Sequence, residues 1–374
     1  MASSAYLDCN ATTPVDRRVL DAMLPALTGE FGNPSSVHAA GQRARALLED
    51  AREELGQALG CEGRELVFTS GGTEANNLAV RGAAEGRAVA VGATEHPSVV
   101  EAARRRGTEV VVLPVDERGV ISLDALDAAL SAGVGLVSVM WANNETGVVA
   151  PVAELVERCR RAGALLHVDA VQALGKLPVD LHALGADFAS VSAHKVHGPK
   201  GAGALYARRG VKLEAQSAGG GQERGRRGGT ENVAGALGLA RAATLAVAAL
   251  AESGPRVRAL RDRLEALALA LPETRVNGAG AERLPGTLNV SFRGVEGEAL
   301  LAALDLAGVA ASSGSACHAG SVEPSPVLAA MGVPPEWARG AVRFSLSRTT
   351  TGDEVAHAER ALFVAVAALR RPVD

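Results

Sequence analysis

Lys195 closes the strand-like pattern that opens VSAHKVHGPKG (191–201), and Asp169 closes another in ALLHVDA (164–170). Their separation is about one strand–helix–strand crossover. Both therefore stand at the ends of adjacent strands, where open α/β sheets present their ligands. Either residue alone is an ordinary strand-end charge. Together they offer a lysine able to form a Schiff base and a carboxylate able to hold a protonated ring nitrogen, the pair that pyridoxal phosphate requires. The phosphate needs a separate cradle. FTSGGTEANNLAV (68–80) reads as strand, glycine turn and helix, so the first-turn N–H groups at Gly72 and the Thr73 hydroxyl form an anion site. Helix capping alone explains such a start equally well, but Ser192 and His194 supply further donors toward the same phosphate.

Other residues gain meaning beside that pair. His96 in TEHPSVV (94–100) is either a structural histidine or a ring that stacks on a planar cofactor and moves protons near neutral pH. Asn144 in WANNETG (141–147) is either a turn asparagine or a hydrogen-bond partner of cofactor or substrate. Arg343 in AVRFSLSR suits a bidentate clamp on an α-carboxylate, or a surface salt bridge. Cys317 sits in SSGSACHAGSVEPS (312–325), a small, polar, flexible context that cannot bury a thiol. An exposed thiol is an oxidation liability unless its reactivity is used. Of the other cysteines, Cys159 follows Leu155 by one helical turn and reads as core, Cys61 closes a helix, and Cys9 is undecided.

The elements that must position these residues follow from pattern. Strand candidates at 65–70, 87–93, 109–115, 135–142, 164–170, 187–194 and 203–208 alternate with helical segments, which predicts a largely parallel seven-stranded sheet with helices on both faces. From about residue 241 an alanine- and leucine-rich helical region runs to about Leu271, broken at Gly254–Pro255, and strands follow at 286–292 and 340–347. This predicts a large domain over 13–255, and a smaller α/β domain made of 1–12 and 256–374 that carries the cysteine loop (about 312–325). Aromatic residues are 3% of the 374, so the core must be built from Ala, Val and Leu. A net charge of −4 gives no global attraction to nucleic acid or an anionic membrane. The N-terminus lacks a signal-peptide pattern, and the cysteines show neither CxxC nor metal spacing, so a reducing cytoplasmic setting and no metal are expected. The longest apolar stretches are alanine-rich and interrupted by Arg241, as in buried helices.

The segments YLDCNATTP, FGNPSSVH, FTSGGTEANN, TEHPSV, NNETG, HVDAVQ, SAHKVHGPKG, GGGQERGRRGGTEN, SSGSAC and VRFSLSRTTT together resemble the cysteine desulfurases, pyridoxal-phosphate enzymes of the class V aminotransferase group with the fold-type I architecture. They run in family order over residues 6–351. The resemblance implies that Lys195 is the Schiff-base lysine, that Asp169 holds the ring nitrogen, that Gln172 bonds the ring oxygen and that His96 stacks on the ring. It implies phosphate contacts from Gly72, Thr73, Ser192 and His194, and from Thr230 to the neighbouring subunit's phosphate. The stretch 219–229 is then an interface loop of a homodimer. Asn144 and Arg343 bind L-cysteine, and Cys317 receives its sulfur as a persulfide while alanine leaves. A loop that reaches inward to substrate and outward to an acceptor must swing.

SSGSAC resembles the longer-loop class linked to iron–sulfur cluster assembly or tRNA thiolation, so a sulfur-acceptor protein is implied as partner. His318 stands where a small hydroxyl residue is frequent, Cys9 occupies a variable position, and the chain ends soon after the last motif, which leaves the acceptor open. The rival readings are a selenocysteine lyase, which does not need Cys317, an aminotransferase of the same fold, and a non-catalytic module, which would need neither Lys195 nor Asp169.

Overall fold

The computed structural model describes residues 4–313 and 325–370; Cys317 and His318 lie outside the described residues. Among the described residues twelve strands form three sheets. They are β1 (Ala5–Tyr6), β2 (Leu66–Thr69), β3 (Val89–Gly92), β4 (Val110–Leu113), β5 (Leu136–Met140), β6 (Leu165–Asp169), β7 (Phe188–Ser192), β8 (Gly203–Ala207), β9 (Thr274–Val276), β10 (Thr287–Phe292), β11 (Val309–Ala310) and β12 (Ala341–Ser345). The main sheet has seven strands in the order β2-β8-β7-β6-β5-β3-β4, and only β8 runs against its neighbours. Strands β2, β3, β5, β7 and β8 are buried along their whole length. That is the condition of strands covered on both faces, and it explains their near-continuous apolar sequence.

Helices fill both faces. Helix Val152–Ala162 shows how the sequence sets one of them: Val152, Leu155, Val156 and Cys159 are its buried residues, one face at helical spacing, and Gly163 ends it in the left-handed conformation at φ 66°. Cys159 is thus the core residue expected, 1% exposed. The main core runs from Val19 to Ala246 and is made chiefly of Ala, Val and Leu. A second core joins Ala5 and Leu7 to side chains between Val257 and Val366. It covers the antiparallel sheet β12-β10-β9, and β1 reaches it by pairing in parallel with β11.

The expected break at Gly254–Pro255 does not occur. One helix, Val233–Leu269, passes through Pro255. Proline removes the N–H that would bond the carbonyl of Ala251, but Ala251 and Pro255 are both exposed, so water can serve that carbonyl. Burial of Val233–Ala246 in one core and of Val257, Leu264 and Ala268 in the other holds both halves in line. The helix is long and apolar enough to cross a membrane, and its burial in these cores accounts for that composition.

Candidate active site

The carboxyl ends of β5, β6 and β7 open into a cavity of about 710 Å³. Gly72, Thr73, His96, Asn144, Asp169, Gln172, Ser192, His194, Lys195 and Arg343 all line it, so ten of the residues expected from the sequence meet in one place. Thr230 does not. It is exposed and lines a small separate cavity with Ser70, Gly201 and Arg227.

Asp169 ends β6, level with Ser190 of β7, and is 6% exposed. Its Oδ1 accepts the Val171 N–H at 3.0 Å and its Oδ2 accepts the Asn76 amide at 2.7 Å. The other N–H of that amide goes to the Ser98 hydroxyl oxygen at 3.0 Å. Ser98 in turn lies 2.7 Å from Nδ1 of His96, and its backbone N–H donates to the same nitrogen at 3.1 Å. With Asn76 donating to the Ser98 oxygen, the Ser98 hydroxyl proton is free to donate to His96. Nδ1 is therefore an acceptor and the imidazole proton rests on Nε2. Burial lowers the pKa of His96 below its usual 6.5 and Lys195 lowers it further, while Asp169 opposes both, so the ring is neutral at physiological pH. Pro97 starts the helix Pro97–Arg104 directly behind His96 and fixes the backbone that presents the ring.

Lys195 ends the short helical turn that follows β7. Its Nζ donates to the carbonyls of Asn10 at 2.7 Å and Ala11 at 2.8 Å. Gln172 donates from Nε2 to the same Asn10 carbonyl at 3.0 Å. Arg343 is 1% exposed; it donates to the Asn144 carbonyl at 3.0 Å and to Oδ1 of Asp8 at 2.6 Å. Arg343 is thus no surface salt bridge but a buried cation facing the cavity. Ser312 pairs with it through the backbone, and Ser325 donates to the Glu145 carboxylate, so both stems of the cysteine loop are tied to the same wall.

Beside this cavity lies a second, smaller one, of about 370 Å³, which shares Gly72, Thr73, Ser192 and His194 with the first and adds Ser70, Gly71, Lys200 and Gly201. The helix Gly72–Gly82 points its N-terminus there with no side-chain cap. Gly71 has φ 153°, in the glycine-favouring region, and Gly203 at the start of β8 comes so close that a Cβ on it would lie 2.6 Å from the Cα of Gly71. A Cβ on Gly72 would meet Val171 at 2.7 Å. The Ser192 hydroxyl is buried without a hydrogen-bond partner. Burial, with Lys195, Lys200 and Lys176 nearby, pushes His194 down to about 4, so it offers a neutral ring, bonded 3.2 Å from the Thr12 hydroxyl. An uncapped helix start, an unsatisfied hydroxyl and nearby lysines form a site for an anion.

The segment carrying Thr230 is pinned from behind. Arg52 grips Glu223 with two bonds of 2.9 Å, and Glu223 also accepts the Phe68 N–H at 3.0 Å. Glu223 and Arg224 hold left-handed backbone at φ 47° and 58°. Cys9 is 2% exposed, and burial pushes its thiol up to about 11, which leaves it protonated and inert. Sequence reasoning did not assign Asp8, Asn10, Asn76 and Ser98. All four lie inside the motif segments YLDCNATTP, FTSGGTEANN and TEHPSV, which was the available signal.

Comparison with known proteins agrees with this geometry. Residues 5–357 match the Aminotransferase class-V family. A cysteine desulfurase of Gluconacetobacter diazotrophicus is 50% identical over 94% of this chain and 91% of its own length. A cysteine desulfurase IscS of an Anaeromyxobacter species is 50% identical over 98% of this chain and 93% of its own. A solved NifS-like protein superimposes with a TM-score of 0.92 at 38% identity, covering 98% of this chain and all of that one. Enzymes of this family depend on pyridoxal phosphate. The chain belongs to the class-V aminotransferase family and, within it, to the cysteine desulfurases.

Proposed function

We propose that this cysteine desulfurase holds pyridoxal 5'-phosphate in the 710 Å³ cavity and moves the sulfur of L-cysteine to Cys317. The observation that carries the reading is the pairing of Lys195 and Asp169 across one cavity, beside an anion cradle whose Ser192 hydroxyl has no partner of its own. Gly72, Thr73, Ser192 and His194 would hold the phosphate, Asp169 the ring nitrogen, Gln172 the ring oxygen, and Lys195 the covalent link. When bound, the cofactor supplies an electron-withdrawing ring that weakens the bonds at the substrate's carbon atoms.

The chain's own residues do the rest. Asp169 is fixed by Asn76 and Val171 N–H, so its carboxylate faces the ring position without reorganising. Neutral His96 presents a face for stacking and an Nε2 proton for donation. Lys195 carries the Cα proton, and Arg343 with Asn144 grips the α-carboxylate. The Cys317 thiolate forms an S–S bond to the substrate sulfur as the C–S bond breaks; that electron pair stays on carbon, which takes a proton and leaves as alanine. Cys317 then carries a persulfide for an acceptor protein serving iron–sulfur cluster assembly or tRNA thiolation.

We propose further that the enzyme is a cytoplasmic homodimer in which Thr230 completes the neighbouring subunit's phosphate site; its exposure outside its own chain's cavity supports this. The division into a unit of 13–255 and one of 1–12 with 256–374 is supported by the two separate cores, both of which the helix Val233–Leu269 enters. The test is reconstitution with pyridoxal phosphate, followed by L-cysteine. A visible band that Lys195→Ala abolishes, with alanine released, is expected. A loaded enzyme that makes no alanine would overturn the reading in favour of amino-group transfer.

A further inference from the structure

Lys176, one residue past the turn of Gly175, is a second lysine that stands behind the site, in a small cavity it lines with Lys195. Its Nζ donates to Oδ1 of Asn10 at 2.8 Å and to Oε1 of Gln172. Asn10 is 2% and Gln172 5% exposed, so both acceptors are buried. The Gln172 amide then has no choice of orientation. If it flipped, its NH2 would face an ammonium and its oxygen would face the Asn10 carbonyl that Nε2 now bonds at 3.0 Å. One N–H goes to that carbonyl and the other is left for the cavity that Gln172 lines. The same carbonyl accepts from Lys195 at 2.7 Å, so Lys176, Asn10, Gln172 and Lys195 form one hydrogen-bonded chain.

We propose that Lys176 is a positioning residue of the active site: it aims the Gln172 donor at the cofactor's ring oxygen and sets a positive charge beside Lys195 that favours the unprotonated state there. The proposal rests on the pyridoxal-phosphate reading above. The ionisable groups that interact with Lys176 are Lys195, Cys9, Arg343, His194 and His197; Cys9 is a neutral thiol, and burial keeps both imidazoles neutral. Burial, and second to it the charge on Lys195, push Lys176 down to about 7 in the protein alone; with Lys195 tied into a neutral link the second cause is removed, so Lys176 holds its proton to higher pH than that.

The experiment is a titration of the visible band of the cofactor-loaded protein from about pH 6 to about pH 10, with cofactor affinity measured alongside. It uses wild type, Lys176→Met, Lys176→Gln and Lys176→Arg. A nearby cation disfavours protonation of the lysine link, so its loss raises the midpoint. Lys176→Met should titrate about half a unit or more above wild type and bind the cofactor about tenfold more weakly. Lys176→Gln, which keeps a donor but no charge, should recover affinity and keep the raised midpoint, and Lys176→Arg should recover the wild-type midpoint. A Lys176→Met or Lys176→Gln protein with the wild-type midpoint and affinity overturns the proposal, even if its thermal stability falls. A wild-type protein with no lysine-dependent band overturns the cofactor reading itself, and the proposal with it.

Discussion

At the scale of single residues, the site is built from polar groups whose remaining valence points into a cavity. Ser192 is the sharpest case, because its hydroxyl is buried and unpaired in the protein alone. A buried unsatisfied hydroxyl costs about 1–3 kcal/mol, which a phosphate oxygen would return on binding. Ser192→Ala should therefore leave the cofactor-free protein at least as stable as wild type while weakening pyridoxal-phosphate binding about tenfold. Parallel urea unfolding and cofactor titration would check this, and equal affinity would remove Ser192 from the phosphate site. Asn76 behaves oppositely. Its amide serves both Asp169 and Ser98, so Asn76→Ala leaves two buried acceptors unpaired and should cost about 2 kcal/mol or more in unfolding free energy. Such residues are hard to read from sequence. Lys195 and Asp169 stand out only as a pair, one crossover apart at the ends of adjacent strands, whereas Asn76 acquires its role only from a contact with Asp169 on a distant strand.

At the scale of elements, the phosphate cradle depends on how closely β8 approaches the turn before the helix Gly72–Gly82. Gly203→Ala would place a Cβ 2.6 Å from the Cα of Gly71, a backbone atom that cannot swing aside. The expected outcome is a loss of about 1–3 kcal/mol in stability together with weaker cofactor binding, read by denaturant unfolding and absorbance titration. The strands of the main sheet were legible because burial on both faces leaves runs of Val, Ala and Leu bounded by turns. Strands β1, β9 and β11, of two or three residues, were not, since so short a segment carries no period. The helix break expected at Pro255 failed for a related reason: local propensity argued for an end, and two distant cores on either side of the proline outweighed it.

For the whole molecule, buried histidines set the acid limb of stability. His167 lies between the Ser138 and Ser190 hydroxyls at 2.8 and 2.9 Å, and burial pushes it down to about 3. Burial likewise takes His194 and His197 to about 4. In the unfolded chain each binds its proton near 6.5, so between about pH 6.5 and about pH 4 the unfolded state holds more protons. Stability must then fall as pH falls through that window. Glu95 works the other way, because burial raises its carboxyl well above 4.5, but it is one group against four, since burial lowers His96 too. Urea midpoints should decline from pH 7 through pH 5, and a flat profile would contradict the burial of these rings. The central claim is that this molecule carries sulfur from L-cysteine on Cys317. It is tested most directly by a single turnover without reductant, followed by intact-mass and peptide analysis. One added sulfur on Cys317, matched by one alanine, is the predicted result; a loaded enzyme that yields neither contradicts it.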